Sequence, residues 1–385
     1  MTIPHPTGLF DTVAAPDTGR AATATQDRRP ARPARRRLAA AARRLTTPLL
    51  PEDYLALINP LWSATDPRGR VEAVRHEAPG AVSLLIRPGV TWPGHRPGQW
   101  LKIGVDIDGV RHWRTFSLSS PPRPDGRITI TVKAGPDGLV SRHLVHAIRP
   151  GAIVRLAPPE GEFTLPSPPP PRVLFLTAGS GITPVMAMLR DPGVRAALPD
   201  AVLVHSARTP DEVIFGAELR ETARRLPGLR LHERHTAADG RLALAELDGL
   251  CPDWAERETW ACGPAGLLDA VSAHWRDAGA AGRLHLERFQ PVLRAAGDGT
   301  GGGRVRFAAS GIETDAGADT PLLEAGENAG ALLPSGCRMG ICHSCVGRLR
   351  SGRVRDLRTG RTHGEEGHLV QTCVSAAAGP VEIDL

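Results

Sequence analysis

The sequence predicts a multidomain chain in which an antiparallel β-barrel precedes a parallel α/β sheet, and a small α+β domain ends it. Three observations carry that prediction. Residues 69–166 hold six short alternating strands parted by Pro, Gly and Asp turns, whereas residues 172–290 alternate apolar strands with helices. Behind a glycine-rich stretch, four of the six cysteines lie at or beyond position 337. With 385 residues the chain has room for two or three domains, each able to bury its own core.

Residues 1–46 read as a disordered basic tail. The opening MTIPHPTGLFDTVAAPDTGR lacks the basic-then-apolar order of a secretory signal, and RRPARPARRRLAAAARR at 28–44 is arginine-rich without an acid. Such a run is by default a solvated segment; its sharper reading is an arm for an anionic membrane surface or an acidic partner. Nucleic acid is set aside because no recognition module is present. No run of about 18 apolar residues occurs, which excludes a spanning helix. The expected location is cytoplasmic, with peripheral contact at the inner face of the membrane, and in a reducing compartment clustered cysteines bind metal more often than they pair.

Residues 47–68, beginning TPLLPEDYLALINPLWS, are too apolar for a free linker and too short for a domain, so a strap packed on the adjoining domain is expected. The barrel strands are RVEAVRHEA, AVSLLIRP, GQWLKIGVDID, VRHWRTFSLSS, RITITVKA and AIVRLAPP. A stiff proline run between Ser167 and Arg172 separates them from the α/β region. There RVLFLTAG, AVLVHSAR, LRLHERH and ETWACG are strands, and the intervening segments, with Met186 and Met188 in the first, are helices. Residues 291–303 include AAGDGTGGG and form a linker, leaving 304–385 as the last domain.

The cysteines there follow Cys337-x4-Cys342-x2-Cys345-x27-Cys373. Disulfides, zinc and an iron–sulfur cluster are the alternatives. Zinc generally takes two two-cysteine clips, while three cysteines in one loop plus a distant fourth match the C-x4-C-x2-C…C pattern of a 2Fe-2S centre. Gly336 and Gly340 leave backbone N–H groups free to turn toward sulfur, and Arg338 offsets negative charge.

Upstream, Arg114-Thr115-Phe116-Ser117 ends a strand with types suited to a flavin: a guanidinium for phosphate, a ring for stacking and hydroxyls for ring nitrogens. Lys133-Ala-Gly-Pro-Asp-Gly138-Leu-Val140-Ser141 is a glycine turn opening a helix, a form that accepts a pyrophosphate and favours FAD over FMN. LTAGSGITPVMAML places Gly179 and Gly181 in a strand–helix turn, Thr183 as N-cap and Pro184 in the first helical turn, presenting donors to a dinucleotide. Pro184 stands where the third glycine of G-x-G-x-x-G would be. Ser206 and Arg208, with no acid beside them, favour the 2′-phosphate of NADPH over NADH. Cys262, Gly263 and Pro264 come after the last strand, as a candidate contact with nicotinamide.

The segments CRMGICHSC and LVQTCVS resemble plant-type ferredoxins over residues 304–385, which implies a β-grasp-like fold with Cys337, Cys342, Cys345 and Cys373 on a 2Fe-2S cluster. RTFS, the 133–141 turn, GSGITP, HSAR and ACGP together resemble the ferredoxin-NADP reductase superfamily over residues 69–290. That resemblance implies flavin held by Arg114, Phe116, Ser117, Gly138, Val140 and Ser141, and nicotinamide met by Thr183, Cys262 and Gly263. Phe116 departs from the commoner Tyr, losing a hydroxyl and keeping the stacking face. Glu287-Arg-Phe289 resembles that family's acid-x-aromatic ending, with Phe289 against the flavin. The implied activity is electron transfer from NADPH through FAD to the cluster, with Ser117, Thr183 and Cys262 nearest the chemistry and no general acid or base. The implied partner is a redox acceptor protein. The strap resembles the N-terminal segment of actinobacterial reductases that feed membrane fatty-acid or acyl-CoA desaturases; the alternative is a soluble ring-hydroxylating dioxygenase or haem monooxygenase.

Overall fold

Alternation decides the first layer. The computed structural model describes residues 58–63, 66–135, 138–198, 200–289, 301–336, 338–340 and 343–385. The basic tail, most of the strap, residues 290–300, Cys337 and Cys342 lie outside the described residues. Six strands, β1 (Arg68–Ala78), β2 (Ala81–Pro88), β3 (Trp100–Ile107), β4 (Val110–Ser117), β5 (Ile128–Lys133) and β6 (Ile153–Leu156), form an antiparallel sheet in the order β4-β3-β6-β1-β2-β5. A bridge between Leu118 and Ile130 and the bond from Ser119 N–H to Thr129 O (2.8 Å) join its two edges, so the sheet closes as a barrel. Closure removes exposed edges and sets Leu84, Ile86, Leu101, Ile103, Ile128 and Ile130 inside one core. Helix α1 (Leu139–Arg142) and the π turn behind it plug that core with Val140 and Leu144. At the end of the strap, Leu61 is buried and its carbonyl accepts the Val90 N–H at 3.1 Å.

The second layer is fully parallel: β7 (Arg172–Ala178), β8 (Asp200–Ala207), β9 (Leu229–His235), β10 (Glu258–Cys262) and β11 (Leu284–Glu287), in the order β11-β10-β7-β8-β9. Its central strands read as apolar runs because helices cover both faces. Helices α2 (Ile182–Arg190), α3 (Gly216–Arg225) and α4 (Ala265–Asp277) supply Met186, Met188, Leu219, Leu268, Val271 and Trp275 to two cores on either side. The chain reverses its build direction between β7 and β10, and such a switch point opens a crevice at the C-terminal ends of the strands. Arg190 at the end of α2 ties the two layers. It makes a two-pronged ion pair with Glu218 (2.8 and 2.6 Å), and another of its N–H groups donates to Ser119 O of the barrel.

Thr183 departs from its expected role as an N-cap. A 3-10 turn at Gly179–Gly181 starts the coil earlier, and the Thr183 hydroxyl donates to Ser180 O at 2.9 Å inside the first turn. The cause is Gly179, whose φ of 54° lets the backbone coil as soon as the strand ends.

The last layer is a mixed sheet in the order β13-β12-β17-β14-β15, built from β12 (Gly302–Phe307), β13 (Ile312–Gly317), β14 (Val346–Asp356), β15 (Thr362–His363) and β17 (Ser375–Asp384). The short β16 (Leu369–Gln371) pairs with β14. Strand β12 runs parallel to β17, while β13 and β14 run antiparallel to their neighbours. Helix α5 (Leu322–Asn328) lays Leu322 and Ala325 on Phe307, Val305 and Ile383, and a Cβ on Gly326 would stand 2.6 Å from the Phe307 ring. Among the described residues no helix is long and apolar enough to cross a membrane.

Candidate functional site

Two adjoining clefts run along the seam between barrel and parallel sheet. The first, about 500 Å³, is lined by Arg114, Thr115, Phe116 and Ser117 from the end of β4, by Lys133 at the end of β5, by Gly138 with Val140 and Ser141 of α1, and by Thr183 and Phe289. The second, about 390 Å³, is lined by Gly179, Gly263 and Pro264 at the switch point. Lys133, Ser180 and Phe289 belong to both walls.

Backbone form explains the first wall. Ser141 Oγ donates to Gly138 O (3.1 Å) and accepts from Gly135 N–H (3.2 Å), so the serine fastens the turn. A Cβ at Gly138 would stand 2.2 Å from that hydroxyl, which only glycine avoids. Two hydroxyls, Thr115 Oγ1 and Ser117 Oγ, are buried at the cleft without a hydrogen-bond partner among the described residues. Unpaired buried hydroxyls are costly, so a polar ring system that can bond them fits this cleft. Arg114 donates to Trp113 O at 2.8 Å, and burial together with the neighbouring Arg338 brings its pKa down to about 10. It therefore remains a cation facing the cleft, suited to a phosphate.

At the second cleft the turns after β7 and β10 touch. A Cβ on Gly181 would lie 2.1 Å from Cys262 O, so glycine is what allows the two loops to meet. Gly181 and Pro184 are buried beneath the cleft rather than in its wall. Cys262 is fully buried in the core shared with α2, and burial, reinforced by Glu287, pushes its thiol well above the usual range, which keeps it neutral. Ser206 pairs in register with Ala178, a residue of the cleft wall, and Arg208 is exposed two residues further on. Beneath them His205 bonds Thr177 Oγ1 at 2.8 Å, and burial brings its pKa down to about 4. Lys133 reaches across the seam to Glu212 Oε2 at 3.1 Å.

In the last domain the structure describes two of the four predicted sulfur ligands. Cys345 and Cys373 are buried together with Leu323 and Val374, and neither forms a disulfide. Gly336 N–H donates to Cys345 Sγ at 3.2 Å. The Cys373 contact, that N–H and Arg338 bring the Cys345 pKa down to about 6 against the opposing effect of burial. A site that favours thiolate suits metal–sulfur ligation. Around it Arg358 donates to Gly340 O (3.0 Å) and to Asp356, Gln371 Nε2 donates to the same carbonyl (3.0 Å), and Thr372 N–H donates to Cys345 O (2.8 Å). Gly340 adopts φ 71°, and a Cβ there would press on Arg358 and Val374.

Sequence reasoning missed Ser180, Arg288 and Thr131 as wall residues. Ser180 lies between Gly179 and Gly181 in the strand–helix turn and was within reach. Thr131 owes its place to barrel closure, where its hydroxyl meets those of Ser83 (2.7 Å) and Ser119 (2.8 Å), a contact that no local pattern announces.

Comparison with known proteins gives three family matches in chain order: an oxidoreductase FAD-binding domain over residues 93–165, an oxidoreductase NAD-binding domain over 175–273 and a 2Fe-2S iron-sulfur cluster binding domain over 305–378. An NADPH oxidoreductase of Mycobacterium tuberculosis is 52% identical over 96% of this chain and 97% of its own length. The reductase subunit of a stachydrine N-demethylase from Rhizobium meliloti is 30% identical over 81% of this chain and 94% of its own. Among solved structures, phthalate dioxygenase reductase, described as a modular structure for electron transfer from pyridine nucleotides to [2Fe-2S], superposes with a TM-score of 0.60. It is 26% identical and covers 83% of this chain and 97% of its own.

Proposed function

The chain belongs to the ferredoxin-NADP reductase type of oxidoreductases, with FAD-binding, NAD-binding and 2Fe-2S domains, and on that premise we propose its electron donor, its cofactor-holding residues and its acceptor. The donor is NADPH, the carriers are FAD and the cluster, and the acceptor is an oxygen-dependent protein. The observation that carries the internal route is the pair of adjoining clefts at the switch point. When bound, FAD supplies the conversion of a two-electron hydride donor into a one-electron source, and a 2Fe-2S cluster supplies one-electron carriage.

The chain's own groups act by binding and positioning. Ser117 and Thr115 offer their unpaired hydroxyls to the flavin ring system, Phe116 gives it a stacking face, and Arg114 with the Gly138–Ser141 turn takes the phosphates. Phe289 stands at both clefts, where its exposed ring would shield from water the junction of a flavin and a nicotinamide bound in them. Gly179, Gly263 and Pro264 line the nicotinamide side with Gly181 and Cys262 buried behind it, and Thr183 stands in the wall of the flavin side. Ser206 and the exposed cation Arg208 receive the 2′-phosphate; no carboxylate among the described residues pairs with Arg208. Cys345 and Cys373, with Cys337 and Cys342 outside the described residues, hold the cluster.

The proposed acceptor is a membrane fatty-acid or acyl-CoA desaturase, a reading supported by the strap beginning at Thr47 and by the basic tail. A second reading, the reductase of a soluble oxygenase, is supported by relatives named as glycine betaine monooxygenase reductase subunits, 32% identical over 75% of this chain.

Anaerobic mixing of purified yellow-brown protein with NADPH or NADH tests the donor and the route. Bleaching of flavin absorbance and then of cluster absorbance, faster with NADPH and reduced toward the NADH rate in Arg208→Ala, is the expected result. Equal rates for the two nucleotides in the parent protein overturn the 2′-phosphate argument, and a colourless protein overturns the route.

A further inference from the structure

A third cleft, about 920 Å³, separates the barrel from the cysteine domain. Its barrel wall carries His112, Trp113 and Arg114, and its far wall carries Glu327 and Arg338. Arg114 thus stands at two clefts at once, with one side toward the flavin seam and the other toward the cysteine loop. Across this gap Arg114, His112 and Arg338 are nitrogen bases, two of them permanent cations. Glu327 is the carboxylate among them. It forms an ion pair with Arg338, whose backbone is left-handed at φ 59°. A non-glycine residue held there needs its surroundings to fix it, and Glu327, at the C-terminal end of α5, is the group that grips its side chain.

We infer that Glu327 is a positioning residue that holds the cysteine loop against the Arg114 side of the flavin cleft, its carboxylate paired with Arg338 on its own wall and facing the Arg114 cation across the gap. The inference rests on the route proposed above and adds to it the group that sets the approach of the two carriers. Without the carboxylate, Arg338 and Arg114 repel across a partly desolvated gap, where charges interact more strongly than in bulk water. The surroundings agree: Arg114 and His112 each feel Arg338 as a repelling neighbour and Glu327 as an attracting one. Removing Glu327 therefore loosens the domain contact and leaves each domain's own site intact.

The test uses the full holoprotein as parent, Glu327→Gln and Glu327→Asp. Ferricyanide reduction by NADPH draws on the flavin directly, and single-turnover bleaching of the cluster reads the transfer across the cleft. Glu327→Gln is expected to keep ferricyanide reduction, flavin content and the cluster's absorption spectrum, and to slow cluster bleaching on the order of tenfold at low ionic strength. Glu327→Asp, which keeps the charge, restores most of the rate, and high salt brings the parent down toward Glu327→Gln. In solution scattering the cofactor-free Glu327→Gln protein is expected to have a larger radius of gyration than the cofactor-free parent. Unchanged cluster bleaching in Glu327→Gln overturns the inference. So does loss of the cluster from that variant, because Glu327 is then a structural support of the loop. A parent protein whose flavin is not reduced by NADPH defeats the underlying route instead, and does so before the variants are compared.

Discussion

Glu287 ends β11 opposite Cys262 in the register, and burial raises its carboxyl from an ordinary 4.5 to about 7. The unfolded chain ionises this group near 4.5 and the folded chain near 7, so the stability present below the lower value is lost as pH rises through the upper one. Glu287→Gln removes the titration and keeps the shape. Thermal unfolding of the parent is expected to fall in midpoint between about pH 5 and 8, while the variant stays flat there and is the more stable at the alkaline end. A parent midpoint independent of pH over that range, or an identical decline in the variant, contradicts the argument. The same residue marks a limit of sequence reading. Its place in Glu287-Arg-Phe289 is visible in a motif, whereas its protonation depends on burial by neighbours distant in the chain. Thr183 shows the complementary limit. Its type suits an N-cap, but the turn at Gly179 starts the coil first, and the hydroxyl turns back on Ser180 O.

Between residues and domains, the turns after β7 and β10 decide whether a nucleotide crevice exists. Gly181 is where they meet, with Cys262 O 2.1 Å and Gly263 N 2.8 Å from the position a Cβ would take. Both neighbours are backbone and cannot rotate away. Gly181→Ala is expected to force the two turns apart, lowering stability by about 1–3 kcal/mol and weakening NADPH binding, with flavin content preserved. Gly266→Ala, in the first turn of α4 with open space around it, serves as the control and is expected to be neutral or stabilising. Thermal unfolding and nucleotide titration of the two variants check this, and equal behaviour sinks the close-approach argument. The strands and helices were legible because their periods are local: RVLFLTAG and AVLVHSAR read as buried strands before any pairing is known. Barrel closure through Leu118 and Ile130 was legible only as a tendency, since six alternating strands do not state their register. The RTFS and glycine-turn residues were found because each site is built from short contiguous segments. Glu327 was not found, because its meaning arises only where α5 of one domain faces β4 of another.

For the molecule as a whole, charge is placed apart from chemistry. The net charge of +6 sits with an arginine run at 28–44, remote in sequence from the flavin, nucleotide and cysteine segments. An anionic surface rewards such a run by about 1 kcal/mol for each arginine that reaches it, an attraction that salt screens. If the acceptor is a membrane desaturase, the tail raises the local concentration of reductase at the membrane and leaves the intrinsic rates unchanged. Deleting residues 1–45 is therefore expected to leave NADPH-dependent reduction of ferricyanide and cytochrome c as in the full chain. The same deletion is expected to lower desaturation in acceptor-containing membranes at least severalfold at low salt, with the difference narrowing as salt rises. Co-sedimentation with vesicles of anionic lipid should show the same order, and vesicles of neutral lipid should bind neither form. Desaturation supported equally by both forms would remove the membrane-docking role. A soluble oxygenase reduced at full rate by the shortened chain, with no activity in desaturase membranes, would move the acceptor to the second reading, in which the tail lies outside the electron path from Arg208 to Cys373.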